Sequence, residues 1–197
     1  MTKSQGAALA AHSLTVGYRD HVVLHGLNLA IAAGRVTALC GPNGCGKSTL
    51  LRTLAGLQPA LSGSVEVDGK PLASYRRRAL ARTLTMLAQF NQIPSGLTIR
   101  ELVAYGRYAY GGWLRGLSCT DHAAIDEALV ASGLADDAAR DVATLSGGER
   151  QRVAIGRALM AGPRLILALA VGLATLVLAI VAAKRLSRRL RFWGAAL

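Results

Sequence analysis

Eight consecutive residues, Gly41-Pro42-Asn43-Gly44-Cys45-Gly46-Lys47-Ser48, match the pattern G-x-x-x-x-G-K-[ST]. The pattern restricts the fold around it. Backbone N–H groups must converge on one centre, and glycine lets the chain turn that tightly because no Cβ stands in the way. A helix starting near Lys47 aims the positive end of its dipole at the same centre. A strand must deliver the loop and a helix must leave it. Val36 to Cys40 is apolar, and Lys47 to Leu57 has helical spacing, so both are expected. With 22 glycines and four lysines among 197 residues, a chance match is expected fewer than about 0.01 times. The segment therefore reads as a phosphate-binding loop. Lys47 is expected to reach the outer phosphates and the Ser48 hydroxyl to take Mg²⁺, with Thr49 supporting the loop.

The flanking sequence reads as mixed α/β. Leu14 to Val16, Val22 to Leu29 and Ser64 to Asp68 are apolar or alternating and are punctuated by Gly17, Gly26, Gly34 and Gly69, as short strands are. Arg82 to Gln89 is expected to be a buried strand. Leu97 to Arg140 has helical spacing interrupted at Gly111-Gly112 and Gly116. A polar turn at Ser146-Gly147-Gly148 leads into a helix from about Glu149 to Met160, closed by Gly162-Pro163. Strands, a phosphate loop, a helical insert and a return to the sheet make an α/β nucleotide-binding plan. Cys40, Cys45 and Cys119 include no CxxC pair and cannot form a disulfide framework, which fits a reducing compartment. The first residues lack the apolar stretch of a signal peptide, so a cytoplasmic location is expected.

Downstream of the loop stands Leu145-Ser146-Gly147-Gly148-Glu149-Arg150-Gln151-Arg152. On its own, Ser-Gly-Gly before a helix is also an ordinary cap. Behind a phosphate loop, the octapeptide resembles the signature motif of the ATP-binding subunits of ABC transporters. The resemblance covers about residues 8–167. It implies a P-loop NTPase of ABC type, with an N-terminal β-subdomain and a helical insert at about 97–160. It implies ATP and Mg²⁺ as cofactors. It also assigns roles. Gly41, Pro42, Asn43, Gly44, Cys45, Gly46, Lys47, Ser48 and Thr49 bind the nucleotide. Tyr18 resembles the aromatic residue that stacks on adenine, and Gln89 the glutamine that contacts Mg²⁺ and the attacking water. Leu145, Ser146, Gly147, Gly148 and Glu149 grip the γ-phosphate of ATP held by a second ATP-binding subunit. The stretch Leu97 to Arg107 is similar to importers of ferric siderophores, ferric citrate, haem and cobalamin. Permease subunits are then the expected partners, with a periplasmic or surface substrate-binding protein acting indirectly. The location implied is the cytoplasmic face of the membrane.

The resemblance breaks after Leu165-Ile166-Leu167. The family continues into adjacent Asp and Glu, which order Mg²⁺ and polarise the attacking water, and later into a histidine. Here Ala168-Leu169-Ala170 follow, and no Asp, Glu or His occurs after Glu149. Losing a general base costs about 10²–10⁴ in rate, so ATP turnover is expected to be deficient, with the core sheet incomplete. Leu165 to Ala183 is instead nineteen residues without a charge. As a helix it would span about 28 Å, close to the hydrocarbon core of a bilayer. A transmembrane-type helix beginning at 165 and continuing through 168–183 is expected. A basic tail follows at 184–197, with Lys184, Arg185, Arg188, Arg189 and Arg191, and the segment would serve as a C-terminal anchor. The abrupt change near Ala168 suggests a truncated ATPase sequence joined to a foreign segment.

The formal net charge of +12 admits nucleic acid as a partner. Arg76-Arg77-Arg78 carry part of it, but no aromatic residues interleave with them, so a solvated helix face is the better reading and no nucleic acid is expected. The alternative functions are a membrane-tethered nucleotide-binding regulatory module without turnover and a nucleic-acid-linked ABC ATPase.

Overall fold

The computed structural model describes residues 7–19, 21–33, 37, 39–87, 96–111, 116–160, 162 and 165–168. These fall into two compact units, Met1–Leu80 and Ala81–Leu197.

The first unit is built on a hairpin. β1 (Ala7–Tyr18) and β2 (His21–Ala32) pair antiparallel, and β3 (Ser62–Val67) and β4 (Lys70–Pro71) complete a sheet in the order β2-β1-β3-β4. β1 lies inside the sheet. Its Leu9, Leu14 and Val16 are fully buried, and its small residues Ala8, Ala10 and Ala11 leave room for a layer above. That layer is α1 (Lys47–Leu54), which lies against β1 and buries Leu50 and Leu54. The helix stops at Leu54, short of the expected Leu57. There the Leu57 N–H donates back to the Arg52 carbonyl at 2.9 Å and turns the chain out of the helix. The strands expected at the front of the chain are present and longer than the apolar runs suggest. The strand expected over Val36–Cys40 is not seen at Thr37, Leu39 or Cys40, the described residues of that stretch. Strand character depends on a pairing partner, which alternation in sequence does not supply.

The second unit is a helical layer over a two-stranded sheet. α2 (Arg77–Thr83) spans the sequence boundary of the two units and takes up Arg82 and Thr83 of the strand expected over Arg82–Gln89; β5 (Leu84–Leu87) follows and pairs parallel with β6 (Leu165–Ala168) from Leu84↔Leu165 to Leu87↔Ala168. Among the described residues, the α-helices between them in sequence are α3 (Ile99–Ala104), α4 (Tyr108–Gly111), α5 (Cys119–Ala131) and α6 (Gly147–Met160). Ile99, Val103, Ile125, Leu129, Val142 and Val153 are 0–1 % exposed and form the centre of their core. Each such side chain contributes roughly 1.5–3 kcal/mol of burial. Gly156 of α6 lets Ser132 and Val103 come close, since a Cβ there would sit 3.1 Å from Ser132 Oγ.

β6 corrects one expectation. Leu165 to Ala168 do not begin a transmembrane-type helix, because their backbone bonds are taken up by the ladder with β5. A short apolar run is equally a buried parallel strand, and its partner lies far upstream, where hydropathy does not look. Among the described residues no helix is long and apolar enough to cross a membrane. The rest of the expected helix, 169–183, and the basic tail 184–197 lie outside the described residues.

Candidate functional site

The phosphate loop belongs to the first unit. Gly46 caps α1 without any side-chain hydrogen bond, at φ +90, and Gly44 stands at φ +83. Both are left-handed conformations that side chains rarely adopt. Gly46 is also confined in space, since a Cβ there would lie 2.3 Å from Val23 Cγ1. The glycine that turns the loop into the helix therefore also lets the loop sit against β2. Lys47 curls over the turn. Its ammonium donates to the Gly41 carbonyl at 2.7 Å and the Pro42 carbonyl at 2.5 Å, and lies 3.6 Å from Cys45 Sγ. Asn43 and Ser48 are exposed, so the Ser48 hydroxyl is accessible at the head of the helix. Thr49 is buried, and its carbonyl accepts from Thr53 Oγ1 at 3.0 Å, which fixes the first turn of α1 beneath the loop.

Tyr18 closes β1 opposite His21 and is 54 % exposed. Gly17, beside it, pairs with Val22, and the next residue is the Val23 that packs on Gly46. The hairpin tip carrying Tyr18 is thus joined through two residues of β2 to the phosphate loop. Gln58, just beyond α1, donates to the Gly17 carbonyl at 2.6 Å and holds the same strand end. Tyr18 and Gly41 to Thr49 come together in one region. Gln89 lies outside the described residues.

The signature turn belongs to the second unit and works differently. Leu145 is buried and anchors it, while Ser146, Gly147 and Gly148 are exposed. Ser146 and Glu149 cap α6 reciprocally. The Ser146 N–H and hydroxyl donate to Glu149 Oε2 at 2.8 and 2.6 Å, and the Glu149 N–H donates to Ser146 Oγ at 3.4 Å. Arg140 Nη1 donates to Glu149 Oε1 and to Asp137 Oδ1, both at 3.0 Å. The Ser146 hydroxyl, the Ser146 amide and the Arg140 guanidinium, in that order, hold the Glu149 carboxyl at about 2, well below its ordinary range. Arg150 Nε donates to the Leu145 carbonyl at 3.0 Å. A Cβ added at Gly147 or Gly148 would meet nothing within 4 Å, so open space lies in front of the turn.

Mg²⁺ suits only part of this donor set. The ion takes oxygen ligands, keeps several waters and binds through substrate phosphates with one or two carboxylates. Ser48 offers one hydroxyl. Among the described residues no three His, Cys, Asp or Glu side chains group to hold a metal. Ala168 is the last residue of β6.

A left-handed glycine turn with its lysine at the head of one helix, and a Ser-Gly-Gly start to another, define an α/β nucleotide-binding domain of the P-loop class. The chain belongs to the ABC transporter family, whose model matches residues 24–168. It is 40 % identical over 160 residues to the iron(3+)-hydroxamate import ATP-binding protein FhuC of Bacillus subtilis (strain 168), covering 81 % of this chain and 60 % of that protein. It is 42 % identical over 159 residues to the ferric enterobactin transport ATP-binding protein FepC of Escherichia coli (strain K12), covering 81 % of this chain and 58 % of that protein. The chain spans about 60 % of the length of these relatives. Among solved structures, a bacterial Atm1-family ABC exporter with ATP bound matches 93 % of this chain and 33 % of its own, with a TM-score of 0.74 and 28 % identity. Likeness to an exporter means that the fold alone does not distinguish import from export.

Sequence reasoning singled out the loop and the signature but missed Arg140 and the inward hold of Glu149 on Ser146. The spacing Ser146-x-x-Glu149 is a capping-box signal and would have found the second. It recurs at Thr98–Glu101 and Ser118–Asp121, where the same reciprocal bonds start α3 and α5. Nothing local in sequence marks Arg140 as their neighbour.

Proposed function

We propose that this chain is the ATP-binding, energy-coupling subunit of an ABC importer for a ferric siderophore or related iron chelate, and that it binds ATP without efficient turnover. The observation that carries the reading is the glycine turn of 41–46 with Lys47 folded over it at the head of α1. ATP would exchange the two carbonyl bonds of Lys47 for bonds to phosphate oxygens, and the exposed N–H groups of the loop would take the remainder. Tyr18 would stack on the adenine from the adjoining hairpin tip. Ser48 would ligate Mg²⁺, with Gln89 as its second protein contact, and the ion would neutralise phosphate charge. Leu169-Ala170 follow β6 in the sequence, and no Asp or Glu after Glu149 is there to orient the ion or activate water. The names of the relatives support iron-chelate import. Permease subunits and a second ATP-binding subunit at the cytoplasmic face of the membrane are the partners this reading requires, with a periplasmic or surface substrate-binding protein acting indirectly.

The test is equilibrium binding of a fluorescent ATP analogue to the full chain with and without Mg²⁺. Saturable binding that ATP displaces is expected. Absence of binding by the folded chain would overturn the proposal.

A further inference from the structure

Glu149 presents a chemical conflict. A turn read as gripping a phosphate carries a carboxylate on its own helix start, and Oε2 of that carboxylate holds both the N–H and the hydroxyl of Ser146. A negative charge there stabilises the helix start and repels a second anion. The other oxygen, Oε1, does not face solvent alone. Arg140 Nη1 donates to it, and the same nitrogen donates to Asp137 Oδ1. Arg140 is itself fixed by its backbone. Its N–H donates to the Asp137 carbonyl at 2.9 Å, and its carbonyl accepts the Ile99 N–H at 3.0 Å. Arg100 N–H donates to the Ala138 carbonyl and Val142 N–H to the Leu97 carbonyl, so the whole 137–142 segment is laced to the start of α3. The guanidinium is thereby brought to Glu149 by a rigid stretch of main chain, although the ion pair itself is partly exposed, at 42 % for Arg140 and 19 % for Glu149.

We propose that Arg140 is a positioning residue for the signature turn: by pairing with Oε1 of Glu149 it masks the carboxylate, and so sets the affinity of Ser146, Gly147 and Gly148 for a phosphate group. The proposal rests on the reading of 145–149 as a phosphate-gripping motif and adds to it the residue that governs its charge. Arg140 would do so without touching phosphate. It acts through Glu149, and its influence disappears when Glu149 loses its charge. An exposed ion pair contributes little to stability, so its removal changes anion affinity without unfolding the second unit.

The test is nuclear magnetic resonance of the full chain titrated with inorganic tripolyphosphate. Amides of Gly41 to Ser48 report the phosphate loop, and those of Gly147 and Gly148 report the signature turn. Arg140→Ala is expected to weaken the apparent affinity at Gly147 and Gly148 by about two- to fivefold, the effect of one unmasked charge at a helix start. Glu149→Gln keeps a capping oxygen and is expected to strengthen it by a similar factor. In the double variant, Arg140→Ala should have no further effect, and Arg140→Lys alone should retain most of the wild-type affinity. A purely structural role predicts weakening by Arg140→Ala whatever stands at 149, and that result would overturn the proposal. Absence of any Gly147 or Gly148 response in wild type and variants would overturn it too. Absence of a response at Gly41 to Ser48 would instead count against the ATP-binding reading, so the two failures are told apart.

Discussion

The phosphate loop and the signature turn are both glycine-rich starts of helices, and they are built on opposite principles. In the loop, glycine is a backbone requirement. Gly44 and Gly46 stand at positive φ, and Gly46 has no room for a Cβ against Val23. No side chain caps α1, and the charge that crosses the turn is the positive one of Lys47. In the signature turn neither glycine needs a left-handed conformation, and both face open space. There, side chains cap the helix, and the charge bonded to Ser146 is the negative one of Glu149. The loop thus leaves its helix start without a side-chain cap, whereas the signature turn already satisfies its own with a carboxylate. Glycine in the first meets a backbone and space requirement at Gly46, and glycines in the second face open space.

That contrast breaks most visibly at Gly46. Gly46→Ala is expected to destabilise the first unit by roughly 3 kcal/mol, combining a left-handed alanine with an overlap against Val23. Denaturant unfolding reads it as a lower midpoint, and an unchanged midpoint would remove the backbone requirement. Lys47→Ala comes next. Losing one charge-assisted contact to phosphate costs about 2 kcal/mol, or roughly thirtyfold in ATP affinity, measurable by isothermal titration with thermal stability as the control. The third effect is a pH dependence confined to the signature turn. Glu149 is more acidic when folded, at about 2, than its ordinary 4.5. Its cap is therefore fully present above pH 4.5 and is lost as pH falls from there toward 2. Amide exchange at the start of α6 should accelerate over that window. The start of α1, whose 41–48 loop contains no carboxylate, should show no matching change. The smallest effect is on stability at Gly148. Gly148→Ala should shift it by less than about 0.5 kcal/mol while narrowing the space before the turn, and a large loss of stability would erase the distinction between the two sites.

The two regions also differ in how far sequence revealed them. The loop was legible because its constraints are local: glycine spacing, one lysine and a helical pattern after it. The helix ending at Met160 was legible for the same reason, and so were Leu84 to Leu87 within the strand expected over Arg82 to Gln89, whose first two residues end α2 instead. Leu165 to Ala168 were misread because nineteen uncharged residues favour a membrane helix on hydropathy, while their pairing with β5 is a long-range fact. Arg140 was invisible because its link to Glu149 depends on how 137–142 is laced to the start of α3. The reciprocal bonds of Ser146 and Glu149 are readable from the spacing Ser146-x-x-Glu149, which is that of a capping box.

On the proposed function, the chain holds ATP and does not complete its hydrolysis. The most direct measurement is to incubate the full chain with ATP and Mg²⁺, remove free nucleotide and identify what remains bound by chromatography. Intact ATP bound to the chain is expected, with phosphate release at background. ADP in the site with continued release of phosphate over many turnovers would contradict it.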